Sequence, residues 1–278
     1  MARMAFPPTA EPSLLTRMRL SRAWALTLPA ALTALWLVAT PAGLLGKADA
    51  IGYAVCHRID LRSFHLGERA LPLCARCSGL YLGALMAGLT YALRGVGRSV
   101  LFPPRWIMAL FALFGAAYIV DGVNSYLSFF PQAPQLYEPN NALRLTTGTL
   151  FGIAFLTIVL TGFNRSIWRD GRPGPLLGSA RDLAWLMLMA GGLIAIVLSE
   201  NPLLLYPLAL LSSAGVLILL TGVYTVLAVM VLRRDNRATT WRDLLTPAFV
   251  GFTLAMAQIA LLDLGRYMFT GTWGGFPL

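Results

Sequence analysis

The sequence predicts an all-α membrane protein, a bundle of about seven transmembrane helices with its N-terminus in the cytoplasm. The first observation is composition: 57% of the 278 residues are hydrophobic and only 12% are charged, against about 25% charged in an average soluble domain. The mean hydropathy is +0.68. This balance excludes a soluble globular enzyme, a disordered chain and a disulfide-dense secreted domain.

The second observation is a set of seven apolar stretches, each bounded by charge, proline or glycine. They cover 24–45, 78–93, 106–126, 143–163, 183–198, 203–232 and 244–269. We expect the sixth and longest to tilt or to turn near Pro207. The predicted organisation is a cytoplasmic tail (1–22), a four-span module (23–163) that carries an extracytoplasmic loop (46–77), and a three-span C-terminal part (164–278).

The third observation is the alternation of cations between the connections. The N-terminal tail and the loops after the second, fourth and sixth stretches each carry three or four Lys or Arg, whereas the loops after the third and fifth carry none. Because basic loops stay in the cytoplasm, this alternation sets the orientation.

We predict a multi-pass protein of the inner (plasma) membrane. Its partners would be the lipid bilayer and, as a further candidate, other membrane-protein subunits, with no nucleic acid despite the net charge of +10.

The loop 46–77 breaks this alternation, because it carries five cations on the predicted outer side. They are Lys47, Arg58, Arg62, Arg69 and Arg76. Three explanations stay open at this point. The cations could hold the loop against lipid phosphates, bind an anion, or pair with the carboxylates of Asp49, Asp60 and Glu68.

The same loop holds all three cysteines and both histidines of the chain, within a window of 22 residues. They are Cys56, His57, His65, Cys74 and Cys77. The CxxC spacing lets Cys74 and Cys77 occupy adjacent corners of a tetrahedron, with Cys56 as a third ligand and His57 or His65 as a fourth. A thiolate and imidazole set suits zinc, and four protein ligands indicate a structural site. We therefore expect zinc to fold the loop into a rigid cap, with a structural or subunit role in a membrane assembly.

Two other interpretations of the cysteines stay open. A CxxC at the start of a helix also has the spacing of a thiol–disulfide switch, since the helix N-terminus and Arg76 lower a thiol pKa. The chain would then be a membrane thiol–quinone oxidoreductase in which Cys74 and Cys77 cycle, Cys56 attacks as a third thiol and Arg76 serves the quinone. In the third interpretation the loop is inert, without metal or turnover. The sequence does not decide whether the chain is an enzyme.

The cysteine loop resembles a known family. The segments that carry the resemblance are Cys56-His57-Arg58, Arg62-Ser63-Phe64, Gly67, Leu71-Pro72-Leu73-Cys74-Ala75-Arg76-Cys77, Gly79, Tyr81 and Gly83. They are similar to a prokaryotic family of membrane proteins known as domain of unknown function 2085. The resemblance is specific over 51–90, extends more weakly over 121–152 and is absent from the last three stretches. It implies a defined membrane module and brings no established activity with it.

Polar residues inside the apolar stretches need a reason, because a charge at the bilayer centre costs about 2.5–3.5 kcal/mol on insertion scales. Asp121 lies in the third stretch and Arg144 opens the fourth. We expect these two to form an ion pair that locks the third helix to the fourth. The alternative is that Asp121 accepts a hydrogen bond from a histidine of the metal site.

Small residues indicate which helices approach closely. Gly79 and Gly83 are four residues apart in the second stretch, and Gly148 and Gly152 repeat this spacing in the fourth. Such stripes let helix backbones touch. We expect the second and fourth helices to pack tightly on each other beneath the cysteine loop.

Overall fold

The computed structural model describes residues 22–130 and 132–274. It is an all-α membrane helix bundle, which confirms the predicted fold class. Its helices are α1 (Arg22–Ala39), α2 (Leu44–Val55), α3 (Ala75–Leu93), α4 (Arg105–Leu127), α5 (Asn141–Ile167), α6 (Ala180–Leu198), α7 (Pro202–Val231) and α8 (Leu245–Thr270). Its short strands are β1 (His65–Leu66), β2 (Arg69–Ala70), β3 (Ser99–Leu101) and β4 (Arg172–Pro175). The predicted tail 1–22 lies outside the described residues except for its last position.

Every predicted stretch contains a helix, but not every helix is long and apolar enough to cross a membrane. Among the described residues, five are long and apolar enough: α4, α5, α6, α7 and the stretch Trp241–Thr270, which contains α8. A bent pair made by α1 and α2 would be a sixth. Helix α3 has 19 residues and is not one of the five, because glycines, tyrosines and Arg76 dilute its apolar content.

The first predicted span is two helices rather than one. The axes of α1 and α2 meet at 104° across a short break. Pro41 has no N–H and disfavours a helical conformation at the residue before it, and Gly43 takes a positive φ of 81°. The Lys47 ammonium closes the end of α1 by donating to the carbonyl oxygen of Thr40 at 2.9 Å. The chain therefore turns at residue 40, before the predicted end at 45.

The loops assemble at two ends of the bundle. At one end the cysteine loop contacts the segment after α8, where Arg58 Nη1 donates to the Trp273 carbonyl at 3.1 Å. At the other end two basic loops join through the parallel pair β3–β4, and Arg169 donates its N–H to the Ala238 carbonyl at 2.9 Å. The three basic loops thus share one end and the cysteine loop lies at the opposite end, in agreement with the cation alternation. Which end faces the cytoplasm stays a prediction.

Helices α3 and α5 touch backbone to backbone. A Cβ at Gly79 or Gly83 would collide with backbone atoms of α5, and a Cβ at Gly148 or Gly152 would collide with carbonyl oxygens of α3. The predicted tight packing of these two helices is therefore confirmed. Because Gly148 rests on the backbone of Arg76, the crossing fixes the first turn of α3, on which the cysteine loop ends.

Candidate metal centre

Cys56 lies at the C-terminal end of α2, and the end of this helix positions it at the site. The Cys56 N–H donates to the Gly52 carbonyl at 2.8 Å, closing the last turn of α2. Gly52 is a point of close approach, since a Cβ on it would collide with the carbonyl group of Pro72. The segment that leads into α3 can therefore cross directly over α2. As a result, the Cys74 N–H points at Cys56 Sγ, 3.3 Å away.

Cys74 is the N-cap of α3 and Cys77 lies in its first turn, so both thiols leave the same face of the helix. The sulfur atoms of Cys56, Cys74 and Cys77 all lie within 4.8 Å of one another. All three are free thiols, of which Cys56 and Cys74 are buried. In a tetrahedral zinc site with Zn–S bonds of about 2.3 Å, the sulfurs are about 3.8 Å apart. The three sulfurs therefore converge closely enough for one ion.

The wall around the sulfurs is apolar and comes from distant parts of the chain. Buried side chains of the connecting loop, α7 and α8 form one cluster with Cys56 and Cys74: Leu73, Val216, Met256 and Ile259. Such a wall excludes water, and a thiolate in dry surroundings is costly without a cation.

Electrostatics within the triad favour one shared negative charge. Hydrogen bonds from the Cys74 and Cys77 thiols, together with the neighbouring His57, hold the pKa of Cys56 well below its usual value although burial acts in the opposite direction. The hydrogen bond to Cys56, with burial, raises the pKa of Cys74 to about 12. The neighbouring thiols and His57 therefore favour ionisation of Cys56 over ionisation of Cys74.

The two histidines are placed differently. His57 follows Cys56 directly, and its Nδ1 accepts a hydrogen bond from the Ile59 N–H at 3.3 Å. His65 lies on β1 with its Nε2 2.9 Å from Asp60 Oδ1, and its side chain is partly exposed. Within the described residues, neither histidine belongs to the close group of sulfurs. The structure thus brings together three of the five predicted ligands, leaves His57 beside them and engages His65 elsewhere.

The prediction that Asp121 pairs with Arg144 is wrong, because Asp121 pairs with Arg76. Asp121 Oδ2 instead accepts from Arg76 Nε at 2.8 Å and from Nη2 at 2.5 Å, and Asp121 Oδ1 accepts from the Tyr137 hydroxyl at 2.9 Å. The physical reason is the α3–α5 crossing: Gly148 has no side chain, so Arg76 lies on α5 and its side chain extends to α4. Arg76 is thereby paired with a carboxylate, and no histidine donates to Asp121 among the described contacts. The quinone role of Arg76 stays a prediction.

Arg266 on α8 is a positioning residue that the sequence did not reveal. Its Nη1 donates to the carbonyl oxygens of Cys56 at 2.6 Å and of Tyr53 at 2.7 Å. Its guanidinium also lies 4.0 Å from the ring centre of Tyr53. These bonds satisfy the last carbonyls of α2 and hold Cys56 in place. A polar residue in the last span was the only sequence signal, and nothing in it indicated a partner 210 positions away.

The segment that carries the three cysteines is similar to known proteins. A family model described as "Predicted membrane protein (DUF2085)" matches residues 56–158, from Cys56 into α5. An uncharacterised protein of Methanothermobacter thermautotrophicus is 36% identical over 108 residues, which are 86% of that protein and 38% of this chain. An uncharacterised protein of Methanocaldococcus jannaschii is 29% identical over 115 residues, 67% of that protein and 41% of this chain. No solved structure matches. The chain belongs to the family of predicted membrane proteins called domain of unknown function 2085.

Proposed function

We propose that Cys56, Cys74 and Cys77 hold one zinc ion, with His57 as the fourth ligand, and that the ion fixes the loop between α2 and α3 as a rigid cap on the bundle. The observation that carries this proposal is the convergence of three sulfurs within 4.8 Å of one another, two of them buried. The role is structural or that of a subunit in a membrane assembly. We place the protein in the plasma membrane with this cap on the outer side.

Three arguments favour zinc over an empty thiol cluster. Three soft sulfur donors select zinc among the common divalent metals. The wall of loop, α7 and α8 side chains around the sulfurs is apolar, which suits a structural zinc site with four protein ligands. A dication also compensates thiolates that would otherwise be charged in dry surroundings.

His57 is favoured over His65 as the fourth ligand. The His57 ring is close enough to lower the pKa of Cys56, and its Nδ1 makes one long hydrogen bond of 3.3 Å. Turning this ring toward the sulfurs therefore costs little. His65 would have to give up Asp60 at 2.9 Å, and it starts from a separate hairpin, β1–β2.

The thiol–quinone alternative is supported less well by the site. A reactive thiol needs access and an electropositive neighbour, whereas Cys56 and Cys74 are buried and Arg76 is ion-paired to Asp121. Cys77, which is half-buried, is the one sulfur of the triad that a reagent could approach.

Elemental analysis of the purified protein tests the metal. We expect about one zinc per chain, its loss in Cys74→Ser, and a clear reduction in His57→Asn. His65→Asn is the matched control, since it removes the other imidazole of the same loop and should retain the zinc. A protein without metal, in which Cys74 and Cys77 are joined in non-reducing mass spectrometry, would contradict the zinc site and favour the redox alternative.

Limited proteolysis tests the structural role of the ion. Arg69 is an exposed trypsin site in the β1–β2 hairpin. If zinc holds the loop by more than about 1.4 kcal/mol, a strong chelator should accelerate cleavage there at least about tenfold. Unchanged cleavage after the zinc has been removed would show that the ion does not hold the cap.

A further inference from the structure

We propose a second ligand site beside the metal centre: the guanidinium groups of Arg62 and Arg144, which meet at Ser125, bind the phosphate group of an anion. This site is separate from the proposed zinc site and does not depend on it. The ligand is either free phosphate or the headgroup of a phospholipid, which present the same chemistry to the two arginines.

Three other arginines of the cysteine loop, Arg58, Arg69 and Arg76, each have a carboxylate partner. Asp49 pairs with Arg58 at 2.9 Å and also with Arg69. Arg76 pairs with Asp121 at 2.5 Å. The predicted pairing of loop cations with loop carboxylates therefore holds for Arg58 and Arg69, whereas Arg76 takes its carboxylate from α4. Among the described residues, no carboxylate pairs with Arg62.

Arg62 is buried without a counter-charge. It is 7% exposed, and its Nη2 donates to the Ser125 carbonyl and to Ser128 Oγ at 3.2 Å. Its guanidinium carbon lies 3.6 Å from the ring centre of Phe129. Serine oxygens and an aromatic face solvate the charge but do not neutralise it.

Arg144 is in the same situation from the opposite side of Ser125. It is 5% exposed, its Nη2 donates to Ser125 Oγ at 2.9 Å, and its Nη1 donates to Asn141 Oδ1 at 2.9 Å. Its Nε is fully buried and has no acceptor. Across residues 22–130 and 132–274, no carboxylate pairs with either guanidinium.

Burying the guanidiniums of Arg62 and Arg144 next to the same serine is energetically unfavourable. Removing a charged group from water costs several kcal/mol unless an opposite charge compensates it, and the nearby Asp121 is already bound by Arg76. Burial, followed by repulsion from Arg144 and Arg76, lowers the pKa of Arg62 to about 10. Three guanidiniums against one carboxylate leave an excess of two positive charges. A phosphate dianion offsets both charges, and a phosphodiester offsets one of them.

The donors suit a phosphate group in their chemistry and in their position at a helix start. Paired guanidiniums with free N–H groups form charge-assisted, planar contacts to tetrahedral oxyanions. Arg144 lies in the first turn of α5, whose positive dipole end adds to the attraction. The site lies at the end of the bundle that carries the cysteine loop, and the exposed Phe129 ring packs on the Arg62 guanidinium.

Thermal stability of the purified, zinc-loaded protein in detergent tests the site, with two probes at constant ionic strength. One probe is inorganic phosphate against chloride, and the other is phosphatidylglycerol in mixed micelles with the detergent against the detergent alone. We expect at least one probe to raise the apparent Tm of the wild type. Arg62→Gln and Arg144→Gln should weaken that binding by about tenfold or more, the effect of losing one charge-assisted contact. Arg69→Gln is the matched control, because it removes the same charge from the same loop and should respond as the wild type does.

The outcomes distinguish free phosphate from a lipid headgroup, and they distinguish a failure of the arginine site from a failure of the zinc site. A response to inorganic phosphate identifies the free ion, and a response to phosphatidylglycerol alone identifies a lipid headgroup. No response to either probe overturns the site, as does a response that both variants retain in full. If Arg144→Gln fails to fold, Arg62→Gln decides alone. Zinc content measured on the same samples shows whether a failure belongs to this site or to the metal centre.

Discussion

The candidate metal centre and the proposed arginine site, which adjoins the Arg76–Asp121 pair, would bind ligands of opposite charge. Cys74 and Cys77 face the apolar side chains of α7 and α8, whereas Arg76 extends to α4. The proposed zinc would compensate the thiols of one site, and the proposed phosphate would compensate the guanidiniums of the other. Both proposals rest on buried polar groups that have no protein counter-charge among the described residues. The difference lies in the solvating groups: the sulfurs have an apolar wall, but the arginines have serine, asparagine and aromatic partners.

The largest expected effect comes from a change that damages both sites at once. Gly148→Leu would drive a side chain into the backbone of Arg76 and separate α3 from α5. We expect a loss of more than about 4 kcal/mol of stability, the range of severe core mutations. Zinc content and the phosphate response should fall together, as measured by elemental analysis and by thermal unfolding.

The matched control for this change lies on the same helix. Gly162 has open space within 4 Å of the position a Cβ would take. Gly162→Ala should therefore leave both sites intact and improve helix stability by up to about 1 kcal/mol. If Gly148→Leu kept both ligands, the α3–α5 crossing would not be the common platform of the two sites.

A second, smaller effect separates the two sites. Asp121→Asn leaves Arg76 as an unpaired cation beside Arg62 and Arg144, and breaking such a buried pair costs about 3–5 kcal/mol. The zinc content should stay unchanged. A double-mutant cycle of Asp121→Asn with Arg76→Met should give a coupling energy larger than the cycle with Arg144→Met, because Arg76 and not Arg144 binds the carboxylate.

The exposed pair Arg94–Asp182 provides the control for Asp121→Asn. It has the same 2.5 Å separation but lies in a partly exposed position at the other end of the bundle, so Asp182→Asn should cost no more than about 1 kcal/mol. Equal coupling of Asp121 to Arg76 and Arg144 would contradict the pairing that the structure shows.

The same comparison explains what the sequence could and could not predict. The cysteine site was predictable because its ligands lie within 22 residues and CxxC spacing fixes two of them on one helix face. The arginine site was not, because Arg62, Arg144 and Ser125 come from three separate segments whose contact depends on how the helices cross. The prediction that Asp121 pairs with Arg144 was wrong for that reason, although the sequence shows the glycine stripes that determine how α3 and α5 cross. The bend at Pro41 was missed because the apolar pattern continues across it.

The smallest predicted effect concerns Tyr137, which links the loop after α4 to the arginine site. Its hydroxyl donates to Asp121 Oδ1 at 2.9 Å, and Tyr137→Phe should cost about 1 kcal/mol, the value of one hydrogen bond. Burial, and then the hydrogen bond to Asp121, raise the pKa of Tyr137 to about 12. The stabilisation from this raised pKa is complete below the unfolded pKa of about 10 and is lost as pH rises from about 10 to about 12. The stability difference between wild type and Tyr137→Phe should therefore be constant from pH 6 to pH 9 in thermal unfolding. A difference that changed within this range would mean that Tyr137 ionises there and is not a neutral donor to Asp121.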